Sequence, residues 1–168
     1  MKPSFTTSQI PATSVIAQQL AGAYFSDCYQ IPIADYAPSA LEIYLSIVVK
    51  TPAWVNAMMA MRNRIVAVFG LKNLGHLGTL KKKSAVSYQV GDRVGIFSLL
   101  YLSDEEIILG DSDKHLDVKV SVCKQSNDAQ HAVALTTVVH IHNTLGRVYM
   151  FFVAPIHKII APAVLARK

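Results

Sequence analysis

From His115 to Cys123, and again from Ala132 to His142, the chain alternates apolar and polar residues with a period of two. Leu116, Val118, Val120 and Val122 fall on one side of the first stretch, and His115, Asp117, Lys119 and Ser121 on the other. In the second, Val133, Leu135, Val139 and Ile141 oppose Thr136, Val138, His140 and His142. Strict alternation is the signature of a half-buried strand, so these stretches commit the chain to an antiparallel pair with one apolar face that something must cover. The cover is written on either side of them in helical period. Val55, Met58, Met59, Ile65, Val66 and Phe69 recur at three and four, as do Leu145, Val148, Tyr149, Phe152, Ile156, Ile159 and Ile160. A composition of 52% hydrophobic and 16% charged residues over 168 positions supplies the core and excludes disorder.

Local signals fix the element order. Tyr24 to Ile33 reads as a strand entering a turn at Pro32 and Pro38. Ser39 and Glu42 form a capping box that starts a helix from Ala40 to Lys50. Thr51-Pro52 predicts a fresh N-cap with proline at the first helical position, and Gly70 a C-cap after Phe69. Lys72 to Asp92, with three glycines and Lys81-Lys82-Lys83, reads as a loop. Val94 to Leu102 and Glu106 to Leu109 make a hairpin around Ser103-Asp104-Glu105, and a long final helix runs from Thr144 to Arg167 with a kink expected at Pro155. The first 22 residues, rich in Ser, Thr, Pro and Ala, are expected to be loosely ordered apart from a short helical piece at Ser14 to Leu20. No internal repeat appears, and residues 1–168 read as one domain.

Strand, two helices, antiparallel strands and a last long helix is an α+β order. It predicts a helix-grip, or START-like, fold in which a curved antiparallel sheet wraps the C-terminal helix and leaves an apolar wedge where the two diverge. A ferredoxin-like sandwich is the alternative.

Sixteen Lys and Arg against eleven Asp and Glu give a net charge of +5, a mild basic excess. Cys28 and Cys123 allow at most one bridge, which argues for a reduced, cytoplasmic setting. Met1 to Gln9 lacks the apolar core of a signal peptide. The longest unbroken apolar run, Val148 to Ile156, falls well short of the ~20 residues of a membrane span, so none is expected.

Several ordered stretches are distinctive: Thr51-Pro52-Ala53-Trp54-Val55, Met61-Arg62-Asn63-Arg64-Ile65-Val66, Phe69-Gly70-Leu71-Lys72, Glu106-Ile107-Ile108-Leu109-Gly110, His115-Leu116-Asp117 and His140-Ile141-His142-Asn143-Thr144-Leu145-Gly146-Arg147-Val148-Tyr149-Met150. Together they resemble the bacterial DUF2867 family, a domain of unknown function, over roughly residues 20 to 168. The resemblance implies a START-like fold. It also implies that the domain can accompany a nicotinamide-binding, dehydrogenase-type domain, none of which is expected within these 168 residues. It transfers no catalytic residue and no cofactor.

If the two alternating strands pair around a Lys124–His131 loop, residue 115 lies near 140 and residue 117 near 138. His115, Asp117, His140 and His142 then share a face, as a metal or acid–base cluster or as a plain polar surface. Of these, His140 and His142 are the metal candidates. Arg62, on an apolar stripe, must find a carboxylate (Asp27, Asp35 or Asp117) or a ligand anion. The triple lysine has no interleaved aromatic residue and Gly75 is followed by His76-Leu77, which argues against nucleic-acid and nucleotide binding. Asp111, Asp113 and His115 lack the glycine and glutamate of a calcium loop.

The expected function is therefore binding of an apolar or amphipathic small molecule between sheet and last helix. Trp54, Met58, Arg62, Phe69, Phe97, Tyr149 and Phe152 are the candidate lining. A cyclase-, isomerase- or hydrolase-like enzyme built on the His/Asp cluster is one alternative. An interaction module for a dehydrogenase-like partner, or a homodimer, is another.

Overall fold

A computed structural model describes residues 5–68, 83–127 and 130–165. Among the described residues, strands β1 (Thr6–Thr7), β2 (Phe25–Ile33), β3 (Arg93–Val94), β4 (Phe97–Leu102), β5 (Glu106–Ser112), β6 (Leu116–Asn127) and β7 (Gln130–Ile141) form one sheet ordered β1-β2-β7-β6-β5-β4-β3. Every pairing is antiparallel. Helices α1 (Ala40–Val49), α2 (Ala53–Val68) and α3 (Thr144–Leu165) complete the fold. The first and last long strands are neighbours, two helices intervene between β2 and β3, and α3 returns onto the sheet. This α+β arrangement is consistent with the expected helix-grip and not with a ferredoxin-like sandwich.

The alternation seen in the sequence becomes cross-strand packing. Leu116 stands opposite Ile141, Val118 opposite Val139 and Val122 opposite Leu135. The register differs from the loop-symmetric expectation, since Asp117 rather than His115 faces His140. The strands run on to Asn127 and Gln130, which makes the hairpin tighter than a Lys124–His131 loop. The slip is by an even number of residues, so every side chain keeps its predicted face.

Ser39 and Glu42 make the predicted capping box: Glu42 N donates to Ser39 Oγ at 3.3 Å and Ser39 N donates to Glu42 Oε2 at 2.8 Å. Leu41, Tyr44 and Val48 then carry α1 into a core with Leu99, Ile107, Leu109 and Val122. The junction to α2 departs from expectation. Helix α2 begins at Ala53, and the Thr51 hydroxyl turns back to donate to Val48 O at 2.7 Å, closing α1 rather than capping α2. With the axes bent by 88°, the carbonyls ending α1 are the nearer unsatisfied partners.

At its N-terminus α3 is clasped to the β5–β6 turn. Asn143 Oδ1 accepts from Gly146 N at 3.1 Å, Asn143 Nδ2 donates to Lys114 O at 2.9 Å, and His142 N donates to His115 O at 2.9 Å. A Cβ on Gly146 would lie 2.4 Å from the His115 carbonyl oxygen, so only glycine lets the helix approach this closely. The helix continues through Pro155 and Pro162. Its buried stripe is Gly146, Met150 and Leu165, with Val153 partly buried against Leu116 and Val139. Six residues of the stripe read from the sequence, Leu145, Val148, Tyr149, Phe152, Ile156 and Ile160, line the open space between this helix and the sheet rather than pack against the sheet directly. Val148, Phe152 and Ile156 stay exposed because that space is open, and Ile159 points to solvent.

By length and composition α3 is long and apolar enough to cross a membrane, with 11% of its most apolar window buried. Arg147, His157 and Lys158 break its apolar stretch, so no unbroken run reaches that length although the helix as a whole does.

The opposite face of the sheet is covered by the N-terminal segment. Val15–Gln19 forms a short 3-10 turn whose Ile16 packs against Ile108 and Val138. Beneath it lies the buried Glu106 carboxylate. It accepts from Ser14 Oγ at 2.5 Å, Ser121 Oγ at 2.6 Å, Val15 N at 2.7 Å and Ile16 N at 3.4 Å. The sequence offered little sign of this anchoring.

Candidate ligand site

Between the helix-facing side of the sheet and helices α1, α2 and α3 lies a cavity of about 660 Å³. The alternation of β6 and β7 aims Leu116, Val118, Val120, Leu135 and Val139 into it. Helix α1 brings Tyr44 and Val48, α2 brings Met58 and Met59, and α3 brings Tyr149 and Val153. The walls are thus aliphatic, aromatic and thioether surface, which suits an apolar body of irregular shape.

Of the residues expected to line such a space, Met58, Arg62, Phe97, Tyr149 and Phe152 do so. Phe152 stands at the rim, 63% exposed. Trp54 does not belong to the wall; it is on the solvent side of the first turn of α2. Phe69, with Gly70, Gly75, Gly78, Lys81 and Lys82, lies outside the described residues.

Polar groups meet this apolar space at a few points. Arg62 Nε donates to the Tyr149 hydroxyl at 2.9 Å while its guanidinium lies 5.3 Å from the Tyr149 ring centre, and Nη1 donates to Asn63 Oδ1 at 3.0 Å. These contacts clasp α2 to α3 at the cavity edge. The carboxylates expected for Arg62 are engaged elsewhere. Asp35 accepts from Ala37 N, Asp117 is bonded to His142, and Asp27 Oδ2 lies 3.0 Å from His157 Nδ1.

The Asp27–His157 pair is the feature that sequence reasoning missed. His157 lines the cavity one turn beyond Val153 on the sheet side of α3, and Asp27 projects from β2 on the same side as Phe25 and Tyr29. The signal was available as position 157 in the stripe 146, 150, 153, once the buried face of α3 is known. Burial raises the Tyr29 phenol pKa and the negative Asp27 adds to the effect. Burial likewise pushes the Tyr44 phenol up, so both stay neutral hydroxyls at ordinary pH.

The four-residue His/Asp cluster does not gather into one site. His115 is buried with Nδ1 3.1 Å from Asn143 Oδ1. His140 Nε2 lies 3.2 Å from Ala21 O. Asp117 and His142 pair at 3.0 Å, with the Ser112 hydroxyl also bonding the carboxylate, and Asp117 alternates with the cavity-lining Leu116 and Val118 onto the other face of the sheet. Among the described residues no three His, Cys, Asp or Glu side chains converge as a metal site. Cys28 and Cys123 are free and buried, and burial raises both thiols, Cys123 to about 11, which keeps them protonated and unreactive.

Neither a curated protein nor a solved structure gives a significant match to the chain. A family model does, over residues 19–164, a span that includes the cavity, the Asp27–His157 pair beside it and the Asn143–Gly146 clasp. The chain belongs to the family described as Protein of unknown function (DUF2867).

Proposed function

We propose that this protein binds an apolar or amphipathic small molecule between its sheet and α3, as the START-like reading of the helix-grip suggests. One observation carries the proposal: a space of about 660 Å³ walled almost entirely by apolar side chains. Ligand sites typically measure about 300–1,000 Å³ and combine apolar walls with a few placed polar groups. Burial of an apolar body there contributes roughly 25 cal/mol per Å² removed from water. A cytoplasmic setting is part of the proposal, supported by the unpaired Cys28 and Cys123. Native mass spectrometry of freshly purified protein, followed by titration with the dye Nile red, is the test. The expected result is copurified mass or saturable dye uptake. A bare protein that takes up no dye overturns the proposal.

A second reading has its own observation. Phe151 and Ile159 extend the exposed apolar rim of the cavity, formed by Val148, Phe152 and Ile156, onto the solvent side of α3, with Phe151 71% exposed. Contiguous apolar surface of this kind marks association sites. We infer that its occupant is a second copy of the chain, because two identical stripes related by a two-fold axis cover each other. Sedimentation should show a dimer that Phe151→Ser dissociates. A monomer at all accessible concentrations rules the dimer out.

A further inference from the structure

The cavity opens to solvent between α2 and α3. Among the described residues that line it, the exposed ones are Met61 on α2 and Val148, Phe152 and Ile156 on α3. Beside Met61 and Val148, at this mouth, stand Arg62 and Tyr149, which also line the cavity. Arg62 is the one Lys or Arg in the described lining, and a guanidinium is charged at every ordinary pH.

The geometry of the pair makes it a source of hydrogen-bond donors. Arg62 Nε donates to the Tyr149 hydroxyl oxygen at 2.9 Å and Nη1 donates to Asn63 Oδ1 at 3.0 Å, two bonds that fix the guanidinium plane. In the first of them Tyr149 is the acceptor, so its own hydroxyl hydrogen remains to be given, and no described residue accepts it. A hydroxyl that accepts from a cation is polarised and donates more strongly. The two carboxylates on the lining are committed elsewhere. Asp111 Oδ1 accepts from Arg93 at 3.3 Å, and Asp113 Oδ1 accepts from the His115 and Leu116 amides at 2.7 and 3.0 Å.

We propose that the cavity takes an amphiphile with a carboxylate head, which accepts from the Tyr149 hydroxyl beside the Arg62 charge while its apolar tail lies against the sheet. This deepens the ligand-binding function proposed above and rests on it. At the mouth a carboxylate keeps part of its water, so its desolvation cost stays low while the neighbouring positive charge favours it. An alcohol accepts the same bond without the charge. A hydrocarbon accepts none. An ammonium cannot accept and is repelled by Arg62.

Displacement of bound Nile red by decanoate, 1-decanol and decyltrimethylammonium, each below its micelle concentration, tests the proposal on the intact chain at neutral pH. Decanoate should displace the dye at about tenfold lower concentration than 1-decanol, the difference between a charge-assisted and a neutral hydrogen bond, and decyltrimethylammonium should be weakest. Arg62→Gln and Tyr149→Phe should each bring the decanoate-to-decanol ratio toward one, and either variant decides if circular dichroism shows the other unfolded. Arg64→Gln removes an equal charge at an exposed position outside the lining and should keep the ratio. Equal displacement by decanoate and 1-decanol in the wild-type protein, or preference for the ammonium, overturns the head-group assignment and leaves the cavity reading standing. A ratio unchanged in the folded Arg62 and Tyr149 variants overturns it too, as does an equal loss in Arg64→Gln, which would show general attraction to a basic surface. Failure of the wild-type protein to bind Nile red at all removes both readings.

Discussion

At the scale of single residues, the close contacts set the strongest expectations. Alanine in place of Gly146 gains up to about 1 kcal/mol of helix propensity. It also drives a Cβ to 2.4 Å from a backbone carbonyl that cannot swing aside. Overpacking of that kind costs about 1–3 kcal/mol, so Gly146→Ala should lower the urea midpoint despite being the better helix former. Asp117 gives a pH signature. Burial would raise its pKa, but hydrogen bonds from Ser112 and His142, with the charges of His142 and Lys119, outweigh burial and hold it below the usual carboxylate value. A depressed folded-state pKa stabilises the native form above the unfolded value of about 3.9 and loses that contribution as pH falls through the folded one. Asp117→Asn should therefore flatten the acid side of the stability profile, measured by denaturant midpoints between about pH 2 and pH 6.

Elements behave as units held by a few such residues. The N-terminal segment is tied down by Glu106, which accepts from Ser14, Val15, Ile16 and Ser121 at once. Glu106→Ala removes every one of those bonds and leaves buried donors unpaired, a loss of roughly 3 kcal/mol. Limited proteolysis should then cut before Val15 much faster than in wild type while circular dichroism of the sheet is retained; equal cutting rates would show that Ile16 packing alone holds the segment. Helix α1 was legible from its ends, since Ser39 and Glu42 satisfy each other locally and need no tertiary help. Helix α3 was legible in existence, in start and in the stripe that lines the cavity, but not in which residues the sheet itself buries. Asn143 caps it through Gly146 N and Arg147 N, yet its apolar residues circle the axis, and contact with Leu116 and Val139 selects Met150 and Val153 as the inner face.

For the whole molecule, the consequence of an internal apolar space is that stability becomes ligand-dependent. A ligand that binds only the native state at a hundred times its Kd adds about 2.7 kcal/mol, which for a chain of this size raises Tm by several degrees. A thermal-shift series with 1-decanol should show that rise, and an unchanged Tm at saturating alcohol would count against an internal ligand site. The alternation of β6 and β7, the capping box and the helical periods were enough by themselves to determine the element order and the α+β class, because each is a local pattern that one face of one element must satisfy. The faces of those strands were determined too, since an even register slip leaves them unchanged. Only the tertiary structure decided which residues meet across elements. It separated His115, His140 and His142, and it joined Asp27 to His157, which are 130 positions apart in the chain. Meetings of that kind depend on how far α3 rolls against the sheet, an angle set by the fit of Gly146 and Met150 to their neighbours and by no periodicity within the helix itself.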